Sequence, residues 1–233
     1  MVGIAVIIKG RCNMKKVILL IVLIFAIGIN NAEATLIDRG GGLIYDTDLN
    51  ITWLQDANYA DTTGYDDILY GYDTNGRLSW ERAIEWVNNL SYAGYDDWRL
   101  PSAQNQDGSG PCGPNFNCMD SEMGHLYLTE LKNKGYLAPD GTYQPDWGLK
   151  NNGPFSNIYS YFYWSSTESV NPERAWSFDW RNGEQSQSTK HDGFNIWPVR
   201  DGDVASVPEP ATFLLVGIGF VSLVGFKYIR QAC

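Results

Sequence analysis

Apolar residues follow different rules in different parts of this chain. Unbroken apolar runs occupy residues 17–29 and 211–226, near the two ends. Between them the spacing is that of helices and strands. Trp80, Ala83, Ile84, Val87 and Leu90 recur every three or four residues, which places them on one face of a helix from 80 to about 90. Ser79 stands where an N-cap belongs. Met123, Leu126, Tyr127 and Leu131 repeat the pattern and predict a second helix, capped by Asp120 or Ser121 and reaching about Lys134. Between the two helices lies Gly94-Tyr-Asp-Asp-Trp-Arg-Leu-Pro-Ser102. Its turn formers give way to a short apolar run that Pro101 stops, so a strand ending in a loop is expected, with Trp98 and Leu100 as core anchors.

Strand spacing dominates the C-terminal third. Tyr159, Tyr161 and Tyr163 fall on one face of a segment whose other face carries Phe162 and Trp164. Trp176, Phe178 and Trp180 alternate with Ser177 and Asp179, and Asn182-Gly183 follows as a hairpin signal. The returning segment 184–190 is polar on both faces and is expected at an exposed sheet edge. Residues 194–200 close the domain, with Pro198 confined to an edge or bulge. Near the start, 42–46 and 51–56 read as short strands joined by Thr47-Asp48-Leu49-Asn50. Residues 57–76 and 136–158 read as surface loops. The pattern describes a loop-rich α+β domain with two helices and a small twisted antiparallel sheet.

The terminal runs carry targeting signals. Met14-Lys15-Lys16, the run 17–29 and the small residues Ala32 and Ala34 have the layout of a signal peptide with its cleavage site, and Met14 is a second start position. At the other end Pro208-Glu209-Pro210 precedes an apolar run too short for comfortable spanning at ~20 residues, followed by Lys227 and Arg230. This arrangement resembles the PEP-CTERM sorting signal of Gram-negative bacteria. The resemblance implies an inner-membrane stage, recognition by an exosortase, cleavage near Pro208 and release to the surface or extracellular matrix. The expected organisation is therefore a signal segment 1–34, an extracellular domain 35–206 and a sorting segment 207–233.

Charge and cysteines refine this picture. Residues 35–206 hold 25 of the 27 acidic residues and 11 of the 17 basic ones, a formal net charge of −14. Such a domain repels nucleic acid and other polyanions and suits a neutral partner, or an anionic one bridged by a cation. Cys112 and Cys118 are the only cysteines in it, and in an oxidising compartment they are expected to pair. Asp46-x-Asp48-x-Asn50 begins like a calcium loop, but Ile51 and Ala57 stand where the Gly and the bidentate Glu are needed, so it reads as a turn. No cofactor is expected. Calcium is the one ion the acidic loops could hold, around Asp61, Asp66, Asp67 and Asp73 or at Gln144-Pro145-Asp146. His125, beside the second apolar stripe, reads as a hydrogen-bonded structural residue rather than a ligand.

Four blocks carry a family resemblance: Ile51-Thr-Trp-Leu54, Tyr95-Asp-Asp-Trp-Arg-Leu-Pro-Ser102, Tyr163-Trp-Ser-Ser-Thr-Glu168 and Trp197-Pro-Val-Arg200. With Ser121-Glu-Met-Gly-His125 they resemble the Lcl-type C-terminal domain, a bacterial extracellular domain of largely undefined function. Arg99-Leu-Pro-Ser102 is also similar to the Arg-Leu-Pro-Thr motif of formylglycine-generating enzymes, which implies a C-type-lectin-like fold. Gln144-Pro145-Asp146 matches a tripeptide of calcium-dependent lectins, without its Trp-Asn-Asp companion downstream. An enzyme is not expected: formylglycine-generating chemistry needs reactive thiols, no Gly-x-Ser-x-Gly, His-Glu-x-x-His or Gly-rich phosphate loop occurs, and no two carboxylates stand out as a glycosidase pair. A polysaccharide- or matrix-binding module leads, a structural matrix component without a small ligand is the alternative, and a formylglycine-generating-like or glycosidase-type enzyme ranks last. The contact surface is expected in the loop 141–157 and the hairpin, through Gln144, Asp146, Trp147, Asn182, Glu184 and Gln185.

Overall fold

A computed structural model describes residues 36–66, 71 and 74–204. The signal segment with Ala32 and Ala34, and the sorting segment with Pro208, Glu209 and Pro210, lie outside the described residues, as do Asp67 and Asp73. The described strands form two antiparallel sheets, where sequence patterning predicted one. The first is ordered β1 (Leu36–Gly40), β2 (Leu43–Asp46), β3 (Ile51–Leu54), β7 (Val199–Asp201). The second is ordered β4 (Phe162–Glu168), β5 (Arg174–Asp179), β6 (Glu184–Thr189). The result is a mixed α+β domain dominated by sheet.

Period-two alternation divides the aromatics between two cores rather than between core and solvent. On β2 and β3, Leu43 and Leu54 enter one cluster while Ile44, Ile51 and Trp53 enter the other. On β4, Trp164 joins the first and Tyr163 the second. Strands buried on both faces read as near-continuous apolar runs, and Ile51-Thr-Trp-Leu54 is buried at all four positions. Of the nine tryptophans, eight are buried, and four indole N–H groups donate to carbonyls at Tyr95, Leu78, Ser165 and Leu54. Trp147 is the exception, half-buried at the surface.

The Gly94–Ser102 stretch couples the sheets. Arg99 N–H and C=O pair with Val199, extending the first sheet by one residue, while Pro101 C=O accepts from the Ser166 amide on β4. Trp98 and Leu100 are buried as anticipated. The Arg99 guanidinium forks onto Glu122 at 2.8 Å from both terminal nitrogens and also meets Asp201; Glu122 in turn accepts from the Ser102 amide at 2.7 Å.

Both predicted helices exist, with revisions. The first, α2 (Trp80–Asn88), follows the short α1 (Tyr59–Thr62). It buries Trp80, Ala83, Trp86 and Val87, whereas Ile84 and Leu90 are only partly buried. Ser79 has the extended backbone of an N-cap, but its side chain makes no capping hydrogen bond. The second is one α-turn, α3 (Glu122–Gly124), capped by the Ser121 hydroxyl, then a π-helical turn His125–Glu130. It stops four residues before Lys134 because the π-turn's wider winding ends in Leu131 N–H donating to Leu126 C=O at 2.9 Å.

The β5–β6 hairpin closes through four residues, 180–183, with Asp179 paired to Glu184. Only Gly183 takes a positive φ, 76°, where an added Cβ would lie 2.9 Å from the Tyr127 ring. β6 is a sheet edge, but not a bare one: Asn115 bridges Gln185 with two backbone bonds of 2.8 and 3.0 Å. Cys112 and Cys118 form the expected disulfide, with Cα atoms 5.7 Å apart. The Asp46 turn is also as expected, its Oδ1 accepting from the Asp48 and Leu49 amides.

Candidate functional site

The two segments singled out as a contact surface do come together. The 136–148 loop folds on itself through the bridges Leu137–Tyr143 and Lys134–Gly148, which turn the chain at Asp140-Gly141. Its Tyr136 amide donates to Asn182 C=O at 2.8 Å, tying the loop to the β5–β6 hairpin. Gly148 sits at φ 100°, and a Cβ there would approach Arg181 C=O to 3.1 Å. This close approach forms one wall of a cleft of about 490 Å³ lined by Tyr143, Asp146, Trp147, Lys150, Ser160 and Arg181.

Aromatic rings and charges share this cleft. Tyr136 meets Trp147 and Tyr143 edge-on, with centroids 5.2 and 5.4 Å apart. The Trp147 indole N–H donates to the Tyr143 hydroxyl at 2.9 Å, which fixes the ring's orientation although it is half-exposed. Asp146 is exposed, on a backbone with φ 60° that Asp and Asn tolerate better than other L residues. Arg181 is held by both oxygens of the buried Asp179 at 2.9 Å, with its guanidinium 4.5 Å from the Phe162 ring centroid. The Asp179 hydrogen bonds hold the Arg181 guanidinium above its ordinary range.

The remaining predicted contact residues serve the scaffold. Gln144 spends its amide on Gly135 and Leu137 carbonyls at 2.9 and 3.1 Å. Asn182 Oδ1 accepts from the Glu184 amide within the hairpin loop. The Glu184 carboxyl is pushed above its usual range, chiefly by burial and then by the Asp179 charge. Gln185 is not a surface residue: it is buried, and its side-chain amide donates to Ala103 C=O. A strand polar on both faces can still be covered, because polar side chains accept burial when they find partners.

Arg181, Lys150, Tyr143 and Ser160 were not singled out from the sequence. Arg181 lies directly between Trp180 and Asn182-Gly183, so a hairpin signal next to a lone cation was available. In the acidic 57–76 segment, buried Asp66 accepts from the Thr74 amide, the Thr74 hydroxyl and the Gly76 amide, all at 2.8–2.9 Å. Burial alone would raise its pKa, yet these hydrogen bonds prevail and hold the carboxyl below the ordinary carboxylate range.

A second group of polar side chains lies elsewhere, where Asp46, His125 and Glu130 bring possible ligand atoms within 4.8 Å of one another. Asp46 is buried, and burial pushes its carboxyl up to about 6.

Residues 206–231 match the family model of the PEP-CTERM protein-sorting motif. The protein is therefore an exported, exosortase-processed surface protein. No curated protein matches the chain. No helix among the described residues is long and apolar enough to cross a membrane.

Proposed function

We propose that the exported domain is a non-catalytic module that binds extracellular polysaccharide in the cleft between Trp147 and Arg181. The observation that carries this reading is the placement of Trp147. Seven tryptophans are spent on the two cores and Trp176 is buried beside them, while the ninth, Trp147, lines a surface cleft with an acid, two cations and two hydroxyls. A tryptophan ring offers an apolar face for a sugar ring, and the flanking groups offer donors and acceptors for its hydroxyls. Arg181 is paired with Asp179, and the cleft's other two charges, Lys150 and Asp146, are of opposite sign, so the cleft suits a neutral glycan, in keeping with the strongly acidic domain around it.

Kinship with the Lcl-type domain and a C-type-lectin-like fold belong to the same proposal. What supports them is that the quoted blocks are interlocked: Trp53 and Trp197 meet at 5.3 Å, Arg99 joins Glu122, and Pro101 joins Ser166. The disulfide supports a non-catalytic role, since it occupies both cysteines among the described residues, the thiols a formylglycine-generating reaction in this domain would need. Signal peptidase at Ala34 and exosortase near Pro208 would act before the domain reaches its ligand.

A glycan array probed with the processed protein, with and without calcium, tests the reading. Trp147→Ala is expected to weaken binding at least about tenfold, the loss of a contact worth about 1.4 kcal/mol or more. Asp146→Asn, which keeps the φ 60° backbone comfortable, is expected to weaken it less. Binding that survives Trp147→Ala removes this cleft as the site. Failure to bind any glycan in either buffer replaces the reading with a structural matrix component.

A further inference from the structure

We propose that Asp46, His125 and Glu130 form a binding site for a divalent first-row transition-metal ion of the Zn²⁺ and Mn²⁺ type. Three observations converge on it. A carboxylate oxygen of Asp46, a ring nitrogen of His125 and a carboxylate oxygen of Glu130 all lie within 4.8 Å of one another. One cation at their centre would therefore need only small side-chain movements to reach bonding distances of about 2.0–2.2 Å.

Burial is the second observation. Asp46 has no solvent exposure, the Glu130 side chain is 3% exposed and that of His125 is 12% exposed. Asp46 Oδ1 accepts from two backbone amides, whereas the buried Oδ2 makes no hydrogen bond of full geometry; the buried Trp53 indole N–H lies beside the carboxylate without reaching that geometry. A carboxylate at zero exposure whose hydrogen bonding is incomplete is costly unless something positive meets it. The two amides on Oδ1 orient the carboxylate, as outer hydrogen bonds commonly do for metal ligands.

The third observation is the local backbone. On a regular α-helix, residues five apart would point about 140° away from each other. The π-helical turn His125–Glu130 widens the winding and brings both side chains to one side, with His125 Nε2 3.2 Å from Glu130 Oε1. Such turns are uncommon and gather at functional sites. Asp48, 46% exposed with Oδ2 3.7 Å from His125 Nε2, sits at the solvent edge and offers a route in and a further acceptor.

The donor set decides the class of ion. One imidazole with two carboxylates suits Zn²⁺, Mn²⁺ or Fe²⁺, whereas Ca²⁺ wants six to eight oxygens and Mg²⁺ keeps mostly waters. Three protein ligands leave at least one position for water or an oxygen of another molecule. Bound there, the ion would pin the β2–β3 turn to the π-turn.

Metal-stripped processed protein titrated separately with Zn²⁺, Mn²⁺, Co²⁺ and Ca²⁺ tests this, read by calorimetry, melting temperature and the visible absorption of Co²⁺. Zn²⁺ is expected to bind at one ion per chain and raise the melting temperature, and Co²⁺ to give ligand-field bands. Asp46→Asn and Glu130→Gln are each expected to lower affinity at least about tenfold, while melting within a few degrees of the parent in chelator. His125→Gln, if folded by circular dichroism, should abolish the Co²⁺ bands. A stronger response to Ca²⁺ than to Zn²⁺ or Mn²⁺ overturns the ion class. Absence of stoichiometric binding, or affinity unchanged in both carboxylate variants, overturns the site. None of these readouts involves glycan, so the result stands apart from the polysaccharide reading.

Discussion

Removing the Arg99 guanidinium should cost this domain far more than removing its exposed partner. Arg99→Met keeps the aliphatic stem that packs beside Leu100 but leaves Glu122 with one backbone donor, the Ser102 amide. The Arg99 side chain is 30% exposed and that of Glu122 14%, so the pair lies between two regimes. Exposed ion pairs are worth about 0–1 kcal/mol, whereas breaking a fully buried pair costs about 3–5 kcal/mol. A loss of about 2–3 kcal/mol follows for this partly buried, bidentate pair, or about 5–10 °C in melting temperature for a domain of this size. Asp201 touches the same guanidinium but is 79% exposed, so Asp201→Ala should cost under about 1 kcal/mol. Urea unfolding of both single variants, Glu122→Gln and the two double variants gives the couplings directly. An Arg99–Glu122 coupling no larger than the Arg99–Asp201 coupling would refute the argument from burial and fork geometry.

Other expectations follow from particular groups. Because the Asp66 carboxyl is held below its ordinary range, its stabilisation is present above about pH 4 and is lost as pH falls through the lowered value. Asp66→Asn should therefore lower the urea midpoint at neutral pH, with the gap to the parent narrowing in strong acid. Changing Cys112 and Cys118 together to Ser should cost about 2 kcal/mol by the chain-entropy account of so short a loop, and thiol titration of denatured, unreduced protein should find neither cysteine free. Intact-mass measurement of protein from an exosortase-positive host should give a product from about residue 35 to about residue 207. Recovery of chains that keep residues 211–226 would point to a simple tail anchor.

Much of this protein was legible residue by residue because the responsible physics is local. Helical spacing exposed α2, strand alternation with Asn182-Gly183 exposed the β5–β6 hairpin, and two nearby cysteines in an exported chain implied their disulfide. The Pro-Glu-Pro signal with its apolar run and basic tail could be read without any fold, since it is recognised as a linear segment. Periodicity, however, reports which side chains share a face and not what covers that face. It could not show that the two faces of β2, β3 and β4 enter two separate cores, because spacing along a strand does not say which cluster each face meets. Nor could it show that Asn115 covers the polar β6 and draws Gln185 inside. Both the cleft and the acid–histidine cluster depend on residues far apart in sequence, Trp147 with Arg181 and Asp46 with His125 and Glu130. A departure from regular winding also mattered, since an ideal helix would have sent His125 and Glu130 to different sides. Those pairings were decided by packing two aromatic cores against shared strands, a free-energy balance that exists only once the whole domain is assembled.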